Sequence, residues 1–333
     1  MSTHAVRVIE IAEVRPHQNA ERLEIVPIGG WQAVTRKGQF KPGDRAIYVE
    51  PDYVVPTTAP EFAFLAREGK ADHRLKAVKL RGVISFGLLI EVPDRLAGKA
   101  VGDDVMADLG VSRYVPPARP FRGGSDDHEL PFDDRPQVID SKFDIESLSN
   151  YGDLFMPGEP VHVTEKIDGG NARFVHVGGT LYMGSRSRWL RPDKDHFWSR
   201  ACAASPGVAD WCRANEGKVL YGEVYGPVQS LKYGLSEPRF IAFAARAQNG
   251  NWCNWSALRS SLMECGVPAV PDLYEGPFDI EAIKALAEQD SRVGPPGHMM
   301  EGVVIVPMTE RQDERVGRVA LKHISQRFWL SDN

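Results

Sequence analysis

Thr164-Glu165-Lys166-Ile167-Asp168-Gly169-Gly170-Asn171 is the stretch on which the reading of this chain turns. A lysine ends a strand-like run, and two glycines follow at once, where backbone can approach a bulky ligand. Alone, Lys followed by Asp-Gly is more often a strand running into a turn than a chemical site. Its company along the chain favours chemistry. Downstream, in order, stand Ser185-Arg186-Ser187, Tyr221-Gly222-Glu223-Val224-Tyr225-Gly226, Phe240-Ile241-Ala242-Phe243, Glu301-Gly302-Val303-Val304 and Ala320-Leu321-Lys322-His323.

Over roughly residues 140 to 330, this succession resembles the lysine-dependent nucleotidyltransferase superfamily of polynucleotide ligases and capping enzymes. The resemblance implies that Lys166 forms a covalent phosphoramidate with AMP, and that Lys322 touches the α-phosphate. Glu223 and Glu301 would hold metal and water, Glu223 also reaching a ribose hydroxyl. Arg186 and Asn171 would contact ribose or phosphate, Phe243 would stack on adenine, and Glu165 and Asp168 would belong to the same nucleotide site. ATP is the implied cofactor, with Mg²⁺ or Mn²⁺ suited to an all-oxygen environment. An amine nucleophile with a pKa near 10.4 is only about one part in 10³ unprotonated at neutral pH, so the site must lower it. Two departures stand out. Ala244 follows Phe243 where relatives often carry Asp, and Lys322 is flanked by Ala320 and Ile324 where relatives often have a second lysine. Arg318 is a candidate for the missing cation.

Working back from Lys166, residues 116–140 are rich in Pro, Gly and acidic side chains and read as a linker. It divides a module at 1–115 from one at 141–333. The front module shows short strand-like runs at Val6–Ile11, Leu23–Ile28, Trp31–Thr35, Arg45–Val49, Leu75–Leu80 and Gly87–Val92, which predicts a small β-barrel. The second mixes strands (217–225, 239–245, 302–307) with helices at 198–204, 255–265 and 280–289. The expected fold class is α+β: an OB-fold-like barrel, then an antiparallel-sheet nucleotidyltransferase domain.

DNA ligases and capping enzymes place their barrel after the last lysine motif, whereas here it comes first. That order is similar to the Deinococcus-type RNA ligases. Pro16-His17-Gln18-Asn19-Ala20-Glu21-Arg22-Leu23 and Gly38-Gln39-Phe40-Lys41-Pro42-Gly43-Asp44 carry the likeness in front, and Gly226-Pro227-Val228-Gln229-Ser230-Leu231-Lys232-Tyr233-Gly234 carries it behind. Gln229, Lys232 and Tyr233 would reach ATP or RNA, or simply close a loop. The resemblance implies joining of RNA 3′-hydroxyl and 5′-phosphate ends held in a duplex, with RNA on the 3′-hydroxyl side. The alternatives are a DNA ligase or capping-like enzyme, or a non-catalytic RNA-binding relative. Arg74, Lys76, Lys79 and Arg81, with Arg36 and Lys37 nearby, would form the RNA-binding surface. On a regular strand, however, Arg74 and Lys76 face away from Lys79 and Arg81.

Composition limits the other classes. The net charge of −5 over 333 residues does not advertise a nucleic-acid binder, so any polyanion site must be local. Residues 1–115 carry 16 Lys and Arg against 15 Asp and Glu, and the remainder 24 against 30, so the front module is the less acidic one. No apolar run is long enough to span a bilayer, and four cysteines without a C-x-x-C pair signal neither disulfide framework nor zinc module. The expectation is a cytoplasmic protein with reduced, mostly buried thiols and no obligate protein partner.

Overall fold

The computed structural model describes residues 5–29, 31–114, 128–138, 143–227 and 229–331. Among the described residues the chain forms two compact units, one drawn from 5–114, 148–152 and 329–331, the other from 128–138, 143–147 and 153–328.

The front unit is an OB-fold domain of short antiparallel strands. Arg45–Val49 lies between Arg7–Glu10 and Leu88–Glu91, and Leu23–Ile28 between Arg15–Pro16 and Trp31–Arg36. Arg45–Val49 is apolar on both faces because both are covered: Ile47 and Val49 join Val8, Val55 and Phe62, while Ala46 and Tyr48 join Ile11, Val26 and Leu89. The strand expected at 75–80 is broken. Asp72–Arg74 pairs with Tyr53–Pro56, and Val78–Leu80 instead turns back on Val83–Ser85. Arg81 and Gly82 form the two-residue turn with φ of 49° and 95°, the doubly left-handed geometry that matches strand twist in a tight hairpin.

The second unit packs two five-stranded sheets. One runs Glu146–Ser147, Leu321–Ile324, Gly302–Pro307, Pro160–Lys166, Asp272–Pro277; the other Trp189–Leu190, Thr180–Ser185, Gly169–Val177, Val219–Tyr225, Arg239–Arg246. All pairings are antiparallel except Glu146–Ser147 against Leu321–Lys322. Helices Phe197–Ala203, Gly207–Ala214 and Trp255–Glu264 bury Trp198, Trp211 and Leu262 against Phe174, Leu220 and Phe240. Residues 116–127, 139 and 140 of the expected linker lie outside the described residues. Its described part packs as structure: the Leu130 amide bonds to the Trp189 carbonyl, and Leu130 and Val138 lie against the core around Tyr221. All four cysteines are free, and only Cys212 is fully buried among them.

A Cβ on Gly222 would lie 2.3 Å from both the Ile241 carbonyl oxygen and the Phe240 ring, and Phe240 is wholly buried. Gly222→Ala should therefore cost about 1–3 kcal/mol through overpacking. In denaturant titrations this appears as a lower midpoint with unchanged slope. His323 is pushed down to about 4 by burial and then by the Lys284 charge. The unfolded histidine titrates near 6.5, so only the unfolded chain gains this proton between those values. Stability at this site is complete above about pH 6.5 and declines as pH falls toward 4, by up to about 1.4 kcal/mol per pH unit. Thermal melts of wild type and His323→Gln across pH 7 to 5 should show the variant falling less steeply.

Candidate active site

Lys166 ends the strand Pro160–Lys166, directly opposite Gly302. That register brings Glu301, the residue before Gly302, to the lysine. Nζ donates to Glu301 Oε1 at 2.7 Å, the lysine side chain being 22% and the glutamate 11% exposed. Three residues on, the chain enters the other sheet at Gly169, and Asn171 lies opposite Glu223. A Cβ on Gly169 would come within 2.7 Å of the Val224 carbonyl oxygen, so glycine permits this close crossing. The two sheets thereby enclose a cavity of about 360 Å³.

Lys166, Asn171, Arg186, Glu223, Phe243 and Lys322 all line it. Phe243 stands 4.5 Å from the ring of Phe143, forming an aromatic wall, and Arg186 pairs with Asp144 at the rim. Burial by itself would lower the Lys166 amine, but the Glu301 and Glu223 carboxylates outweigh it and hold the amine above its usual range. Burial pushes Glu223 up to about 8 and also raises Glu301. The lysine thus rests protonated against Glu301, the opposite of the lowered pKa that nucleophilic attack requires.

Three of the expected residues take particular positions. Glu165 borders the cavity, but its carboxylate points into the protein, accepting from the Ser291 hydroxyl and the Arg292 amide. Strand alternation turns it away from Lys166. Asp168 does not line the cavity; it accepts from the Ser230 hydroxyl and the Leu231 amide, both at 2.8 Å, and so anchors the following loop. Arg318 does reach the cavity, but its charge is already paired with Glu310 and its guanidinium lies 4.5 Å over the Trp252 ring. It is not a free stand-in for the second lysine.

The loop residues divide. Gln229 lines the cavity and donates to the Gly169 carbonyl at 3.3 Å, whereas Tyr233 closes the loop by accepting from the Asp168 amide at 2.7 Å. Lys232 is exposed outside the cavity. Sequence reasoning assigned no role to Phe143, Asp144, Trp255 or Val270, which also line it. Nothing local in the sequence marks Phe143 or Asp144 as facing inward.

The four expected RNA contacts do not form one strip, because the strand that would carry them is broken. Arg74 is paired with Asp52 at 2.6 Å and lies 3.9 Å over the Tyr114 ring. Lys76 is half-buried, while Lys79 and Arg81 are exposed on the Val78–Ser85 hairpin.

Among the described residues no group of three or more His, Cys, Asp and Glu could hold a metal ion by itself. Glu223 Oε2, Glu301 Oε2 and Asn171 Oδ1 are nonetheless buried without a hydrogen-bond partner. These orphaned oxygens fit a hard divalent cation whose other ligands come from phosphate and water.

The chain combines an OB-fold domain with an antiparallel-sheet domain in which a lysine faces buried carboxylates in a cleft. Residues 159–324 match the RNA ligase family, and residues 5–92 match an OB-fold domain. The chain thus carries an RNA ligase family domain behind an OB-fold domain. The structure is similar to Naegleria gruberi RNA ligase with PPi, at 24% identity and a TM-score of 0.79, over 98% of this chain and 97% of that one. It is also similar to a mutant of that ligase with ATP and Mn, at 23% identity and a TM-score of 0.81 over 98% and 99%. A mutant with AMP and Mn gives 23% and 0.79 over 98% of each chain. No curated protein sequence matches the chain. No helix among the described residues is long and apolar enough to cross a membrane.

Proposed function

We propose that this chain is an ATP-dependent RNA ligase that works through an adenylylated Lys166. The observation that carries this is the Lys166–Glu301 contact of 2.7 Å beside a cavity lined by Glu223, each glutamate keeping one buried carboxylate oxygen without a hydrogen-bond partner. The likeness to ligase structures containing ATP or AMP with Mn supports the nucleotide and metal assignments.

Glu301 is the group placed to take the Nζ proton, because its own carboxyl is raised by burial and the two atoms are already in contact. The neutral amine then attacks the α-phosphorus of ATP, forming the N–P bond as the bond to pyrophosphate breaks. Lys322 and Arg186 neutralise charge around that phosphate, Asn171 orients phosphate or ribose, and Phe243 stacks on adenine. Glu223 and Glu301 would hold Mg²⁺ or Mn²⁺, which when bound would neutralise charge on the triphosphate and favour the neutral amine. AMP next passes from Lys166 to an RNA 5′-phosphate. Attack by a 3′-hydroxyl then forms the phosphodiester and expels AMP.

The OB-fold unit would grip RNA through Lys79 and Arg81, presenting 3′-hydroxyl and 5′-phosphate ends within a duplex, and the site of action would be the cytoplasm. Nicked duplexes with ribose or deoxyribose on each side of the break test the substrate assignment. Joining should require ribose on the 3′-hydroxyl strand. Equal joining of all-DNA nicks would favour a DNA ligase, and no covalent AMP on the chain would leave an RNA-binding protein.

A further inference from the structure

The OB-fold unit has a second cleft, of about 590 Å³, between the strands Trp31–Arg36 and Leu88–Glu91 and the turn Pro60–Leu65. Two buried polar atoms of its lining lack partners. Thr35 is 6% exposed and its hydroxyl meets no hydrogen-bonding group. The Glu61 side chain is 10% exposed; Oε1 accepts from Arg95 at 2.5 Å, while Oε2 is orphaned. A buried acceptor without a donor is costly, and a cleft that keeps two is suited to a ligand that brings donors. Phe64, also in the lining, is 61% exposed, an unusual position for a large aromatic ring.

The charge of the lining narrows the ligand. With Glu61 already paired to Arg95, Glu91 and Asp94, both exposed, stand against the one lining cation, Arg36. A nucleic-acid phosphate would meet repulsion there, whereas an organic cation would be drawn in. A guanidinium answers each feature: N–H donors for Glu61 Oε2 and the Thr35 oxygen, a flat face for Phe64, and a methylene stem for the apolar wall.

We propose that this cleft is a docking site for an arginine side chain presented by a partner peptide. The test uses the full isotope-labelled chain, titrated by NMR with acetyl-Leu-Arg-Leu-amide and with its citrulline counterpart, which keeps the shape and loses the charge. The arginine peptide should give saturable shifts at Thr35 and Phe64, and citrulline should bind at least about tenfold more weakly. Thr35→Val, which preserves volume, and Phe64→Ala, at an exposed position, should each weaken binding at least about threefold while Lys166 labelling by ATP stays unchanged. Equal binding of the two peptides, or no saturable shift, overturns the proposal. So does a mixed-sequence single-stranded RNA that shifts these residues when the peptide does not, which would make the cleft a nucleotide site.

Discussion

Lys166→Arg should fold, keep a positive charge against Glu301, and take up no AMP. A guanidinium stays protonated at any pH the protein survives, so it satisfies the ion pair but offers no lone pair to phosphorus. Covalent labelling by α-labelled ATP should fall by more than about 10³-fold, the scale expected when an essential nucleophile is removed. The same variant, given an RNA strand already adenylylated at its 5′-phosphate, should still seal, because that step uses AMP as leaving group and needs no amine. Labelling, AMP transfer and sealing of the preformed intermediate, assayed in parallel, separate these steps. Robust labelling of Lys166→Arg would remove Lys166 from the nucleophile's role.

Glu301→Gln has the next largest expected effect, for a less obvious reason. Removing its carboxylate takes away the largest influence holding the lysine proton, so burial should leave the Lys166 amine more readily neutral than in wild type. A neutral amine alone should not rescue the reaction. The variant lacks the proton acceptor in contact with Nζ and one of the two anionic oxygens available to a cation, and adenylylation should fall about 10²–10³-fold. Glu223→Gln should also reduce it, by less, since Glu223 does not contact Nζ in the resting structure. Near-normal labelling by either variant at saturating ATP and Mg²⁺, with unchanged melting, would mark that carboxylate as structural.

How far the sequence foretold the structure depends on how local each determinant is. Leu23–Ile28 and Gly302–Pro307 were legible to the residue, because each is a short apolar run between turn-forming residues. The strand at 75–80 was not, because Ala77 and Leu75 supply apolar character while the reversal depends on Arg81, a residue rarely found at positive φ. Gly207–Ala214 was not among the helices read from the sequence, and it opens on Pro206-Gly207, a pair more typical of turns. In the site, the ordered motifs picked out Lys166, Asn171, Arg186, Glu223, Phe243, Glu301 and Lys322, and all but Glu301 line the cavity, with Glu301 in contact with Lys166. Glu165 borders the cavity, with strand alternation turning its carboxylate away from Lys166. Asp168 could not be placed without knowing that the loop after Pro227 folds back on it. The Lys166–Glu301 contact, which sets the resting protonation of the nucleophile, joins residues 135 positions apart and rests on strand register.

The central claim is that this cavity transfers AMP to Lys166, and peptide mapping tests it most directly. Wild-type chain incubated with α-labelled ATP and Mg²⁺, without RNA, should yield one acid-labile, hydroxylamine-sensitive phosphoramidate, on the peptide containing Lys166. Label on Lys322 or another lysine, or none while ATP demonstrably binds, would contradict it.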